Sequence, residues 1–243
     1  MTGGKVWYIP GWAGPRGGDC ELVRKLKAVS PVEVIWLPEY GSSEWTEAGP
    51  CSAIYGPALG RRIENEPEPV AIVGWSMGAM AAIELAAAQP RKVLSLVLLS
   101  ATARFCSGES RPFGPSPEEV EAMKTDPGAD TIRRFLISCY YPARPRADEL
   151  RAKIAAAMEA TPEQLRLGLT YLLYADLRGV LRNVRAPVLL AHGERDAIVP
   201  LAAGEELARV LPNARLRVLA DAGHVLPETN AEEIMGLIRP PGD

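Results

Sequence analysis

The chain has 243 residues, 47% of them hydrophobic, with 27 basic against 30 acidic side chains and a net charge of -3. That length can bury a sizeable core in one domain, and the near balance of charge excludes a binder that grips nucleic acid through a basic surface. No apolar stretch approaches the roughly 18 residues of a membrane span, and Met1 to Lys5 lacks the apolar segment of a secretory signal. No membrane association is therefore expected, and the expected compartment is the cytoplasm.

In chain order, an apolar strand over 5–9 feeds a glycine-punctuated loop, Tyr8-Ile9-Pro10-Gly11-Trp12-Ala13-Gly14. Further strands are expected at 33–37, 70–73, 94–99, 187–191 and 215–219, with helices at 19–28, 52–64, 77–88, 201–210 and 230–238. Such alternation implies an α/β fold, a mostly parallel sheet with helices on both faces. Thr229-Asn230-Ala231-Glu232 has the form of a capping box opening the last helix. Between about residues 104 and 183 the alternation stops. Ser116-Pro117-Glu118-Glu119 and Thr161-Pro162-Glu163-Gln164 read there as capping boxes with proline at the first helical position. Ile132, Phe135, Leu136 and Cys139 share one helical face, as do Leu150, Ile154, Ala157 and Met158. This is a helical insertion before the late strands.

The chemistry-bearing motif is Gly74-Trp75-Ser76-Met77-Gly78, a G-x-S-x-G pentapeptide. Before it runs Val70-Ala71-Ile72-Val73, and after it Ala79-Met80-Ala81-Ala82-Ile83-Glu84-Leu85-Ala86. A buried strand that turns into a helix at one serine projects its hydroxyl from the top of the sheet, and small neighbours let strand and helix approach. Ser76 is the candidate nucleophile. A base must be found between two histidines. His224 follows the strand 215–219 on a loop and can reach over the sheet, whereas His192 ends the strand 187–191 and is read as a structural residue. The orienting carboxylate is Asp196, on the loop after the penultimate strand, with Glu194 as second choice. The order Ser76, Asp196, His224 is that of the nucleophile-elbow hydrolases. The backbone N–H of Met77, next to the nucleophile, is one expected oxyanion donor.

Cys20, Cys51, Cys106 and Cys139 are widely spaced and contain no C-x-x-C pair, so neither a zinc site nor a disulfide framework is expected. No metal or organic cofactor is called for by hydrolysis of this kind. Cys139 is expected near the substrate entrance. Arg133, Arg134, Arg144, Arg146, Arg151 and Lys153 concentrate positive charge in the insertion.

Together these parts resemble the α/β-hydrolases, and within them the pimeloyl-acyl-carrier-protein methyl ester esterases of biotin synthesis. The stretches that carry the resemblance are Gly74 to Gly78, Val97 to Phe105, Leu167-Gly168-Leu169, Asp176-Leu177-Arg178 and His192 to Pro200. The resemblance implies an α/β-hydrolase core at 1–103 and 184–243, with a helical cap at 104–183 over the serine. It implies Trp12 as the second oxyanion donor, through its backbone N–H, although Pro10-Gly11 replaces the family's usual His-Gly pair. It further implies Phe135 as a wall of the acyl channel, and Arg134 and Arg151 as contacts for an acidic acyl carrier protein. A monomer is expected. A broad short-chain carboxylesterase, an acyl thioesterase and a non-catalytic ligand-binding relative remain as alternatives.

Overall fold

Six strands carry the apolar runs: β1 (Val6–Ile9), β2 (Val32–Val34), β3 (Val70–Trp75), β4 (Val93–Leu99), β5 (Val188–Gly193) and β6 (Ala214–Leu219). In the computed structural model, which describes residues 4–41, 54–108 and 113–238, they pair in parallel in the order β2-β1-β3-β4-β5-β6. The period of two divides the strand side chains between two cores. Trp7, Ile9, Ile72, Leu96, Leu98 and Leu190 face one side, while Val6, Tyr8, Val73, Val97, Leu99 and Ala191 face the other. The inner strands β1, β3, β4 and β5 are largely buried and apolar throughout most of their length, whereas the edge strands β2 and β6 carry charged residues and are partly exposed.

Helices α1 (Glu21–Lys27), α9 (Leu226–Thr229) and α10 (Ala231–Ile238) pack together on one face. On the other lie α2 (Gly56–Glu64), α3 (Met77–Ala88) and α8 (Leu201–Val210). Helix α3 is buried nearly all round, and its alanines and glycine allow the close packing a central helix requires. The strand order reverses between β1 and β3, and the crevice beyond the strand ends at such a switch point is where α/β sheets hold their ligands.

Between β4 and β5 the chain forms α4 (Pro117–Thr125), α5 (Ala129–Tyr140), α6 (Ala147–Ala157) and α7 (Pro162–Tyr174). The root of this insertion is closed by an antiparallel bridge between Arg104 and Asp176 and by the Leu177 N–H donating to the Ala103 carbonyl at 2.8 Å. Ser116 and Thr161 form the expected capping boxes, their side chains accepting from the Glu119 and Gln164 amides at 3.2 Å each.

Three expectations are corrected. The second strand covers Val32–Val34 rather than 33–37, because Pro38 lacks a ladder donor and Leu37–Glu39 closes into a 3-10 turn. Thr229 does not cap the last helix: its hydroxyl bonds back to the carbonyl of Val225, the residue that opens α9, and Asn230 precedes α10. Met158 lies past the end of α6 and is exposed. Cys51 and residues 52–53 of the helix expected at 52–64 lie outside the described residues.

At Gly78 the backbones approach so closely that an added Cβ would stand 2.1 Å from the Ile9 carbonyl oxygen. Gly78→Ala should therefore destabilise the protein by about 3 kcal/mol, as overpacking against backbone does. Gly60, in α2 with open space around it, should instead gain about 0.5–1 kcal/mol on changing to Ala. Urea unfolding of the two variants beside the parent checks both signs.

Candidate active site

Strand β3 ends at Trp75 and α3 begins at Met77, so the whole change of direction falls on Ser76. Its φ of 55° and ψ of -120° lie where an L-residue is strained. Gly74 makes the turn possible, since a Cβ there would sit 2.7 Å from the Ala79 Cα. The Ser76 N–H is held by the Leu99 carbonyl at 2.9 Å, which ties the elbow to β4. The serine lies at the mouth of the switch-point crevice and is 8% exposed.

His224 brings its Nε2 to 2.9 Å from the Ser76 Oγ. Its Nδ1 faces both carboxylate oxygens of Asp196, at 3.0 Å from Oδ1 and 2.8 Å from Oδ2. A carboxylate accepts only, so Nδ1 carries the proton and Nε2 is left to accept from the serine. Asp196 is fixed in turn, because its Oδ1 accepts the Ile198 and Val199 amides at 2.9 and 2.8 Å. The structure thus brings together three residues widely separated in sequence, in the geometry of a serine hydrolase.

The electrostatics of this relay are those of a buried site. Burial pushes the Asp196 carboxyl upward, but His224 and the Val199 amide outweigh it and hold the group below the ordinary carboxylate value. His192 lies under the acid, 3.6 Å from its Oδ2, and donates from Nε2 to the Val199 carbonyl at 2.7 Å. Burial lowers its pKa against the pull of Asp196, so it stays neutral beneath the carboxylate. Glu194 is exposed, and Asp221 is exposed beside Arg195.

The loop Pro10–Gly14 lies against the serine, with an added Cβ on Gly11 only 3.1 Å from the Ser76 Cβ. Trp12 and Met77 are both buried. The Trp12 indole donates to the Leu165 carbonyl of α7 at 3.0 Å, and Gly168 leaves room for the indole where a Cβ would meet it at 2.7 Å. Phe135 stacks edge-on against Trp12, with ring centroids 5.0 Å apart. On its other side it lines a cavity of about 620 Å³ with Phe105, Val120, Met123, Arg134 and Ile198. This cavity borders the acid loop rather than the serine itself. Cys139 is not among its walls: it is fully buried in the core below, where burial and the Asp196 charge push its thiol pKa up. Its placement at an entrance is corrected accordingly.

Arg134 and Arg151 are both exposed, on α5 and α6. Arg134 reaches the cavity and donates to Thr131 Oγ1 at 3.0 Å, while Arg151 stands away from it. Two residues missed by sequence reasoning touch the base. Trp75 Nε1 and Ser100 Oγ both donate to the His224 carbonyl, at 2.8 and 3.2 Å. Among the described residues no cluster of His, Cys, Asp and Glu could hold a metal ion, and no helix is long and apolar enough to cross a membrane.

Both perturbed groups of the relay are held below their unfolded values, so the unfolded chain takes up protons first as pH falls. The stability contributed by His192 is complete above about pH 6.5 and lost below it, and that from Asp196 is complete above about pH 4 and lost as its lowered folded value is crossed. Urea midpoints measured from pH 8 to 3 should fall in these two windows. His192→Gln should remove the upper fall and Asp196→Asn the lower.

Known proteins resemble this chain along most of its length. The pimeloyl-[acyl-carrier protein] methyl ester esterase of Neisseria meningitidis serogroup A is 34% identical over 241 residues, covering 97% of this chain and 75% of that protein. The protein of the same name from Aromatoleum aromaticum is 34% identical over 243 residues, covering 95% and 94%. Among solved structures, an esterase from Exiguobacterium antarcticum superposes with a TM-score of 0.82 at 19% identity, covering 98% of this chain and 91% of that one. A bromoperoxidase from Bacillus anthracis gives 0.84 at 21% identity over the same shares. These structural likenesses speak to the fold alone. The alpha/beta hydrolase family profile matches residues 9–236, and the chain belongs to that family.

Proposed function

We propose that this protein is a serine carboxylesterase that hydrolyses the methyl ester of pimeloyl-acyl carrier protein, a step of biotin synthesis. The observation that carries the chemistry is the unbroken relay from the Ser76 Oγ through His224 to Asp196. The substrate is supported by the relatives that bear this activity in their names.

In this reading the Ser76 Oγ attacks the ester carbonyl carbon as its proton passes to His224 Nε2. The Met77 and Trp12 backbone N–H groups receive the charge that forms on the carbonyl oxygen, and each is worth roughly 100- to 1,000-fold in rate. The carbon–methoxy bond breaks, and methanol leaves with the proton from His224. Water then attacks the acyl-enzyme by the same path, releasing the free acid and restoring Ser76. Asp196 keeps the imidazole oriented and faces its positive charge whenever it is protonated.

Residues 104–183 act as a cap in this scheme, excluding water and shaping the acyl site. Phe135 forms a wall between Trp12 and the 620 Å³ cavity. The surface of the cap suits an acidic carrier. Arg146 and Lys153 are paired with Asp148 and Glu228, whereas Arg134 and Arg151 are exposed with no carboxylate partner among the described residues. Arginine holds phosphate and carboxylate oxygens in its planar fork, which fits a phosphopantetheine phosphate.

Purified protein should remove one methyl group from pimeloyl-carrier methyl ester, followed by mass spectrometry, faster than it turns over 4-nitrophenyl acetate. Ser76→Ala should abolish both activities. Turnover of the aryl ester with the carrier ester untouched would instead mean a general short-chain esterase. Changing Arg134 and Arg151 to Glu should raise the KM for the carrier-bound ester about tenfold and leave the aryl ester almost unchanged. That split is measured by steady-state kinetics on both substrates.

A further inference from the structure

The His224 backbone carbonyl accepts two side-chain hydrogen bonds, from Trp75 Nε1 at 2.8 Å and from Ser100 Oγ at 3.2 Å. Neither side chain hydrogen-bonds to Ser76, Asp196 or the imidazole nitrogens, and the mechanism above uses neither. We propose that Trp75 and Ser100 are positioning residues, which clamp the histidine's backbone so that its ring spans the acid and the nucleophile. The inference rests on the triad reading of Ser76, Asp196 and His224.

The need for a clamp follows from the local sequence. His224 stands in a loop, preceded by Asp221 at a φ of 54° and by Ala222 and Gly223, a permissive residue. Nothing in that stretch is helix or strand until Leu226. Its imidazole must nevertheless satisfy three distances between 2.8 and 3.0 Å at once. A swing of the backbone by a fraction of an ångström breaks one side of the relay to keep the other.

The donors come from the ends of two neighbouring central strands. Trp75 is the last residue of β3 and the covalent neighbour of Ser76, so one residue ties nucleophile and base together. Its ring also lies 5.6 Å from the His224 ring. Across the sheet Trp75 pairs with Leu99, and Ser100 follows directly. Ser100 is fully buried, its N–H is held by the Ala191 carbonyl at 3.0 Å, and its φ is 50°. A buried non-glycine residue in that region costs conformational energy and persists where its surroundings impose it. Here the outlier aims a hydroxyl at the histidine carbonyl. The ends of β3 and β4 thus each deliver one donor to the same oxygen.

Two substitutions separate the donors from their bulk. Trp75→Phe keeps an aromatic ring without the N–H, and Ser100→Gly accepts the positive φ without the hydroxyl. Each should lower kcat for 4-nitrophenyl acetate about tenfold with KM nearly unchanged, and the double variant should fall further. In proton NMR, the downfield resonance of the His224 Nδ1–H facing Asp196, identified by its absence from His224→Ala, should broaden and move upfield in both. Wild-type kcat and an unmoved resonance, with only the thermal midpoint lowered, would show that the two residues merely support the fold and would overturn the proposal. The triad reading is tested separately. If Ser76→Ala and His224→Ala stay active, that reading fails; if both are dead and the clamp variants are not impaired, only the clamp fails.

Discussion

Everything in this molecule hangs on one crowded turn, in which a buried strand becomes a buried helix at Ser76. Holding a serine at a φ of 55° costs about 1–3 kcal/mol, and the surroundings must impose it. They do so through absences as much as contacts. Gly74 has no room for a Cβ under Ala79, and Gly78 has none under the Ile9 carbonyl. The second of these brings the end of β1 against the start of α3, so the loop carrying Trp12 is set beside the nucleophile by the same close approach. The turn therefore fixes the serine, the helix N-terminus behind it and the neighbouring loop in one packing event.

The second requirement is a buried negative charge that remains a charge. Asp196 is 7% exposed, and burial alone would favour its protonated form. Two backbone amides and the His224 N–H supply the compensation that keeps it ionised. His192, neutral beneath it, has a separate part. A permanently charged side chain in its place would compete with His224 for the carboxylate. A purely apolar one would leave the Val199 carbonyl without its 2.7 Å donor. When His224 takes up a proton, the carboxylate faces it in a low-dielectric setting where the attraction is far stronger than in water.

What the sequence made legible was the part written in local patterns. Val70 to Ala86 states its own strand, turn and helix, and the order of serine, acid and histidine follows from which loops lie beyond strand ends. The two capping boxes at Ser116 and Thr161 are equally local. Thr229 misled because a separate short helix, Leu226–Thr229 with Pro227 in its first turn, claims the hydroxyl for the carbonyl of Val225 at its start. Cys139 shares its helical face with Phe135, and periodicity cannot tell which residue on that face meets a cavity and which meets the sheet. The Trp75 and Ser100 bonds to His224 were illegible for a different reason. Their acceptor is a backbone carbonyl, which every residue carries, so no residue type marks it.

The insertion meets the core on the very loops that hold the relay. Tyr141, at the end of α5, places its carbonyl so near Gly223 that a Cβ there would lie 1.8 Å away. Its hydroxyl accepts from Arg195, the neighbour of the acid, at 3.3 Å, and Arg195 lies over the Tyr141 ring and reaches Asp221. Lys153 of α6 pairs with Glu228 in α9, four residues beyond the histidine. Close-packed surfaces transmit displacement rather than absorb it. The acid loop, the histidine loop and the insertion therefore form one packed unit above the sheet. The sheet holds the nucleophile from below, and the clamp at the His224 carbonyl is one of the points where it meets that unit.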